Sequence, residues 1–288
     1  MLDALITPFT EFEFMQRALV GVIAIAVGGG PVGVFLMLRR MSLTGDAMAH
    51  AILPGAAVGY LVAGLSLPAM TVGGLAAGII VAVAAGLVAR FTDLKEDASL
   101  AAFYLVSLAL GVTIVSLRGS NVDLLHVLFG TVLALDDAAL VLIASIASIS
   151  LVALALLYRP LVLECVDPTF LRSVSRAGTP THLIFLGLVV LNLVGGFHAL
   201  GTLLAVGLMM LPAAAARFWT ADITLMLAVS TLVGIVSGYA GLLLSYHLGW
   251  PAGPAIILTA GAVYIFSLTF GTQGGLVWLA RPGKHLEA

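Results

Sequence analysis

Long apolar runs constrain this chain more than any other feature of its sequence. Nine of them lie at 15–38, 46–65, 69–90, 98–117, 137–158, 181–197, 200–217, 223–246 and 253–271. The length of each run is close to the roughly 20 residues that a helix needs to cross a bilayer. In none of them do apolar and polar residues alternate as they do in a barrel strand. Only 9% of the residues are charged, against about 25% in a soluble domain. The sequence therefore predicts an all-α integral membrane protein, a polytopic bundle of about nine transmembrane helices, with eight as the alternative.

Basic residues predict the orientation of this single transmembrane domain, which spans residues 1–288. Cytoplasmic loops of membrane proteins carry an excess of Lys and Arg. If the N-terminus is outside and the C-terminus is cytoplasmic, Arg17 and Arg118 fall outside and the other ten basic residues fall inside. Those ten are Arg39, Arg40, Arg90, Lys95, Arg159, Arg172, Arg176, Arg217, Arg281 and Lys284. A further segment, 121–135, is too short to span and is predicted to be a half-helix at the outer side.

An aspartate and a histidine, Asp46 and His50, stand inside the second apolar run. An ionisable residue in a span costs about 2.5–3.5 kcal/mol on insertion scales and is a functional candidate by default. Their spacing puts both side chains on one helix face, and Gly45 and Pro54 on either side of the pair predict an interrupted helix. A carboxylate and an imidazole can together bind a divalent transition-metal ion. The spacing alone fits two other roles, a helix N-cap with a neighbouring histidine and a proton relay.

Other polar residues at the ends of the apolar runs are weaker candidates. Asp123 and His126 lie at the outer end, where they could contact an entering ion or form a solvated loop pair. His198 opens a span at the outer face. No role is expected of the three remaining histidines, which lie at or beyond the ends of spans: His182, His247 and His285. The single cysteine, Cys165, excludes an intramolecular disulfide and a cysteine metal cluster.

The longest polar stretch, 159–180, is predicted to hold a short cytoplasmic helix. Asp167 is a natural N-cap, Arg172 and Arg176 lie near the C-terminal end, and Gly178 can end a helix in the left-handed conformation. Such a helix is either a plain linker or a surface on which a soluble ATPase acts. The chain has no G-x-x-x-x-G-K-[ST] phosphate loop and is not expected to be an enzyme. An ATPase that drives transport would be a separate chain.

Five segments carry a family resemblance. They are LRRMSLTGDAMAHAILPGAAVGYL at 38–61, LLHVLFGTVLAL at 124–135, DPTFLRSVSRAG at 167–178, LGTLLAVGLMMLPAAAARFW at 200–219 and LGWPAGPAIIL at 248–258. In this order they resemble the membrane permease subunits of ABC importers for zinc, manganese and iron(II). In that family a longer polar side chain often precedes the fourth segment, where this chain has His198, a further candidate ligand near the outer gate.

The resemblance implies a permease of the bacterial inner membrane that binds no permanent cofactor and transports Zn²⁺ or Mn²⁺, with Fe²⁺ also in range and zinc slightly favoured. Asp46 and His50 would contact the metal in transit. The implied partners are a second permease copy in a homodimer or pseudo-dimer, two cytoplasmic ATPases that contact 167–178, and an extracytoplasmic metal-binding protein. Two alternatives stay open: a proton-coupled secondary carrier, and an ABC permease for an iron chelate or a vitamin.

Overall fold

The computed structural model of the protein describes residues 2–64, 66–92, 94, 96–117, 132–167, 170–171 and 178–279. This part of the chain is helical and contains no strand. Its helices are α1 (Leu2–Glu11), α2 (Glu13–Leu38), α3 (Ser42–Ala51), α4 (Leu53–Ala63), α5 (Leu67–Phe91), α6 (Glu96–Leu117), α7 (Asp137–Val166), α8 (Gly178–Leu200), α9 (Thr202–Arg217), α10 (Ile223–Leu248), α11 (Ala252–Phe270) and α12 (Leu276–Leu279). A 3₁₀ turn, Val132–Ala134, precedes α7.

The predicted all-α membrane bundle is confirmed. Within the described ranges, eight helical segments are long and apolar enough to cross a membrane, with α3 and α4 together forming one of them. The remaining predicted span, 200–217, corresponds to α9, which has 16 residues. At about 1.5 Å per residue this helix is roughly 24 Å long, shorter than the ~30 Å apolar core of a bilayer. It is packed among α2, α8, α10 and α11, so its length does not have to match the lipid.

Helix α2 lies at the centre of the bundle. Every residue from Gly28 to Leu36 is buried, and the helix packs against α7, α9 and α10. Near its C-terminal end, Leu38 packs with Ala216 and Met226 from α9 and α10. The end of α2, the end of α9 and the start of α10 therefore meet at one end of the bundle, which is called the basic end below because it carries Arg39, Arg40 and Arg217.

The opposite end of the bundle carries the beginning of α2 and of α7. There, Arg17 pairs with Glu13 at 2.7 Å and with Asp137 at 3.2 Å. Since Arg39, Arg40 and Arg217 share the other end, the described basic residues are distributed as the predicted orientation requires. Which end faces the cytoplasm stays a prediction.

Two boundaries around the predicted cytoplasmic helix differ from the expectation. Helix α7 does not end near residue 158 but continues through Pro160 to Val166, because neighbouring groups in a membrane bundle can satisfy the carbonyl that a proline leaves free. Gly178 is the first residue of α8 and not a left-handed stop. Pro180, in the first turn of α8, suits a helix start because the first N–H groups have no partner inside the helix.

Asp167 begins a capped turn after α7, as predicted. Its carboxylate accepts a hydrogen bond from the backbone N–H of Phe170 at 2.9 Å, the contact that an N-cap residue makes. Its backbone carbonyl accepts from the N–H of Leu171 at 3.2 Å. Arg172 and Arg176, predicted at the far end of this helix, lie outside the described residues.

Helices α4 and α5 approach until their backbones touch. A Cβ atom built on Gly55 would lie 2.0 Å from the carbonyl oxygen of Gly73, and one on Gly73 would lie 2.2 Å from that of Gly55. A side chain of any size at either position therefore collides with backbone. Close contacts between small residues hold membrane helices together because lipid provides no hydrophobic driving force for their association.

Gly55→Ala is expected to lower the thermal unfolding temperature of the purified protein in detergent, because its methyl group forces α4 away from α5. Overpacking of this kind costs typically ~1–3 kcal/mol. Gly261→Ala is the matched control: Gly261 lies in α11 with no atom within 4 Å of an added Cβ. That change should leave the temperature unchanged or raise it, because alanine favours a helix by up to about 1 kcal/mol over glycine. Equal unfolding temperatures for the two variants would contradict the tight contact.

Candidate functional site

The second apolar run is an interrupted helix, as Pro54 predicted. Helix α3 ends at Ala51 and α4 begins at Leu53. Proline has no N–H to donate to the preceding turn, so the helical ladder breaks here. The Ser107 hydroxyl of α6 donates a hydrogen bond to the carbonyl oxygen of Ala51 at 2.9 Å. This bond connects the end of α3 to α6. Interrupted membrane helices are tolerated where they are buried in protein or line a cavity.

Asp46 and His50 lie on the same face of α3, one turn apart. The distance from His50 Nε2 to Asp46 Oδ1 is 3.9 Å, too long for a hydrogen bond. It suits two ligands of one ion, because a transition-metal ion lies about 2.0–2.2 Å from an imidazole nitrogen or a carboxylate oxygen. The side chain of Asp46 is 66% exposed in the single chain, which leaves room for further ligands. Since α3 begins at Ser42, Asp46 lies inside the helix and is not its N-cap.

The His50 ring is partly buried against a neighbouring helix. It stacks on the ring of Tyr104 in α6, with centroids 6.2 Å apart and planes at 30°. Its Nδ1 is buried and has no hydrogen-bond partner among the described residues. A metal-binding histidine usually donates its second ring N–H to a neighbour, which strengthens the site. The Nε2 atom faces Asp46, so an ion bound by the pair would bind this atom, and no described residue would support the ring at Nδ1.

A cavity of about 140 Å³ lies between α3 and α6. Asp46 and Thr44 line it from α3, and Asp97 and Tyr104 line it from α6. It reaches toward the basic end, where α3 begins at Ser42, two residues after Arg40. No three His, Cys, Asp or Glu side chains come together within the described ranges. The arrangement is therefore a two-ligand pair beside an acidic cavity, not a closed metal cage.

Several predicted site residues cannot be placed next to this pair. Asp123 and His126 lie outside the residues that the structure describes. His198 belongs to α8, but its side chain is not described. Asp167 follows α7 and Gly178 begins α8, both at the basic end. Their suggested roles in ion entry and in ATPase contact stay predictions.

A buried charge cluster at the basic end was not predicted from the sequence. Arg39 Nη2 lies 3.0 Å from Glu164 Oε1, with side chains only 8% and 9% exposed. His182 Nδ1 contacts Arg39 and lies 3.8 Å from Glu164. The Arg39 guanidinium also lies over the Phe185 ring, 5.1 Å from its centroid. This cluster joins α2, α7 and α8; its one sequence signal was an acid, Glu164, in an apolar segment.

Comparison with known proteins identifies the family of this bundle. The model of the ABC 3 transport family matches residues 11–271. The chain belongs to the ABC 3 transport family. This confirms the resemblance to permease subunits of metal ABC importers that the five sequence segments indicated.

Proteins named as metal-transport membrane proteins match the chain over nearly its whole length. The manganese transport system membrane protein MntC of Halalkalibacterium halodurans is 30% identical over 282 residues, which cover 96% of this chain and 95% of that protein. The chelated iron transport system membrane protein YfeD of Yersinia pestis is 30% identical over 270 residues, covering 94% and 90%. The solved structure of PsaBC from Streptococcus pneumoniae in complex with Fab superposes with a TM-score of 0.84 at 27% identity, covering 97% of this chain and 99% of the other.

Proposed function

We propose that this protein is the permease subunit of a bacterial ABC importer for divalent metals, with manganese as its main cargo. Family membership and the names of MntC and YfeD support metal import. Manganese and iron occur in those names and zinc does not, so manganese replaces the slight preference for zinc that the sequence suggested. The observation that carries the proposal is the 3.9 Å gap between His50 Nε2 and Asp46 Oδ1, beside a break in a membrane helix.

The cargo ion binds between the Asp46 carboxylate and the His50 imidazole. One oxygen and one nitrogen ligand fit Mn²⁺, Fe²⁺ and Zn²⁺. Water and a second copy of the chain across a two-fold axis complete the coordination, and the open face of Asp46 leaves space for both. An incomplete site releases its ion easily, as transport requires. Binding needs an unprotonated imidazole, because a protonated ring has no lone pair to offer the metal.

Separate subunits supply the energy and the ion in this proposal. The sequence has no phosphate loop of its own, so two cytoplasmic ATPases drive the cycle from the basic end. The ATPases contact the turn that begins at Asp167, and they also contact Arg172 and Arg176. An extracytoplasmic binding protein delivers the ion to the opposite end. The N-terminus is then outside and the C-terminus is in the cytoplasm.

Reconstitution tests this function. The permease, its ATPase and its binding protein are placed in liposomes, and accumulated manganese, iron and zinc are measured by elemental analysis. We expect ATP-dependent uptake with the highest initial rate for Mn²⁺, unchanged by an agent that collapses the proton gradient. An ATPase that binds but does not hydrolyse ATP is the matched control. Uptake that needs no ATP and follows the proton gradient would establish a secondary carrier; uptake of only chelated iron would establish the other alternative.

A further inference from the structure

We propose a second cation-binding position on the inner side of the Asp46–His50 pair, formed by Asp97, Thr44 and the shared carboxylate of Asp46. It is called the inner position below. The proposal rests on the proposed function, since the ion that it binds is the cargo on its way to the basic end. Asp97 and Thr44 were not among the site residues predicted from the sequence.

The cavity between α3 and α6 provides the space. Its volume of about 140 Å³ holds an ion and a few water molecules, each of which fills about 30 Å³ in the liquid. Tyr104 lines the cavity and stacks on His50, so the cavity adjoins the first pair. Asp97 precedes Tyr104 by two helical turns and lies roughly 10 Å nearer the basic end. An ion leaving His50 in that direction enters this space.

The Thr44 hydroxyl is the observation that points to a ligand. Thr44 is 1% exposed and lines the cavity, and its Oγ1 has no hydrogen-bond partner among the described residues. Threonines inside helices commonly donate to the carbonyl four residues earlier. In this chain Thr71, Thr113 and Thr259 do so, at 2.7, 2.7 and 2.8 Å.

Thr44 cannot make that bond because of the backbone before α3. The residue four positions earlier is Arg40, which lies before the helix and has a φ of 59°. A left-handed residue does not present its carbonyl along the axis of the following helix. The hydroxyl therefore stays unpaired in a buried place, which costs free energy unless a ligand or water uses it.

The charges around the cavity select a cation. Asp46 and Asp97 bring two carboxylates, and the described lining residues include no Lys, Arg or His. An acid in the first turn of a helix also interacts favourably with the helix dipole. This accounts for Asp97 alone but not for the unpaired Thr44 hydroxyl in the lining of the same cavity. Oxygen ligands without nitrogen or sulfur suit Mn²⁺ and other hard ions better than Zn²⁺. Asp46 is a ligand in both positions. The ion therefore stays bound to the protein while it moves from His50 to the inner position.

Two nearly isosteric variants, Asp97→Asn and Thr44→Val, test the inner position in the reconstituted complex. We expect each to lower the maximal rate of Mn²⁺ uptake by roughly tenfold, the effect of losing one charge-assisted contact, and to leave the half-saturating concentration of the loaded binding protein unchanged. Asp97→Glu, which keeps the carboxylate, should retain most of the rate. Asp137→Asn and Thr113→Val are matched controls, since Asp137 lies at the opposite end and Thr113 is exposed and bonded within its own helix.

Equilibrium Mn²⁺ binding to the purified complex without ATP separates this proposal from the function on which it rests. Wild-type protein should bind one more Mn²⁺ per permease than Asp97→Asn or Thr44→Val, and His50→Ala should keep the inner ion. If both variants match wild type in uptake and in bound Mn²⁺ while His50→Ala loses uptake, the inner position is refuted and the transport function stands. If His50→Ala also transports normally, the proposed function fails. Should Asp97→Asn not assemble, Thr44→Val gives the same readings.

Discussion

His50→Ala and Asp46→Ala are each expected to reduce Mn²⁺ uptake to the background of liposomes without permease. Either change removes one of the two proposed ligands on α3, and a single remaining ligand would not retain the ion. Loss of a partner that merely supports a ligand costs about 10–100-fold in metal affinity, so loss of the ligand itself should cost at least the upper end of this range. The measurement is ATP-dependent accumulation of manganese by elemental analysis, at equal amounts of reconstituted complex.

His247→Ala is the matched control for these two variants. His247 lies in the last turn of α10, at the opposite end from the basic residues, and its side chain is exposed. Uptake by this variant should equal that of the wild type. All three variants should co-purify with the ATPase to the same extent, because none lies at the basic end. Normal uptake by His50→Ala or Asp46→Ala would refute the ligand assignment.

Glu164→Ala is expected to destabilise the protein more than any other single change to a charged residue discussed above. It leaves the Arg39 guanidinium buried without its carboxylate, and breaking a buried ion pair from one side costs about 3–5 kcal/mol. The measurement is the free energy of unfolding in detergent, or the midpoint temperature followed by tryptophan fluorescence. Glu164→Gln, which keeps a hydrogen-bond acceptor, should lose less.

Glu13→Ala is the matched control for the buried pair. Glu13 pairs with Arg17 at 2.7 Å, but its side chain is 76% exposed, and exposed ion pairs contribute about 0–1 kcal/mol. Replacing both members of the buried pair, as Arg39→Met with Glu164→Met, should recover much of the loss because no isolated charge remains. If Glu164→Ala and Glu13→Ala unfold at the same temperature, the cluster joining α2, α7 and α8 contributes nothing to stability.

Features that depend on a single stretch of sequence could be predicted. The apolar runs predicted where the long helices lie, since about 20 apolar residues are needed to cross a bilayer, but they did not separate the eight spanning segments from the shorter α9. Pro54 predicted the break in the second span because a missing N–H acts locally. The four-residue spacing of Asp46 and His50 predicted a shared face for the same kind of reason.

Features that depend on distant residues could not be predicted. Arg39 and Glu164 are separated by 125 positions, and only the packing of α2 against α7 brings them together. The continuation of α7 past Pro160 could not be predicted either, because a proline in a membrane helix is tolerated or not according to its surroundings. The unpaired hydroxyl of Thr44 depends on the positive φ of Arg40, an unusual conformation for a residue other than glycine.

The contact of Gly55 with Gly73 has a consequence for motion. Helix α4 cannot tilt without carrying α5, whereas α3 is fixed separately, by the buried side chain of Met48 and by the bond from Ser107 to Ala51. The second span can therefore bend at the break between α3 and α4, so that α4 moves and His50 on α3 does not. A tilt of about 10° would move the far end of α4, about 16 Å long, by roughly 3 Å while α3, with Asp46 and His50, stays in place. Opening of a passage at that end would therefore leave the geometry of the Asp46–His50 pair unchanged.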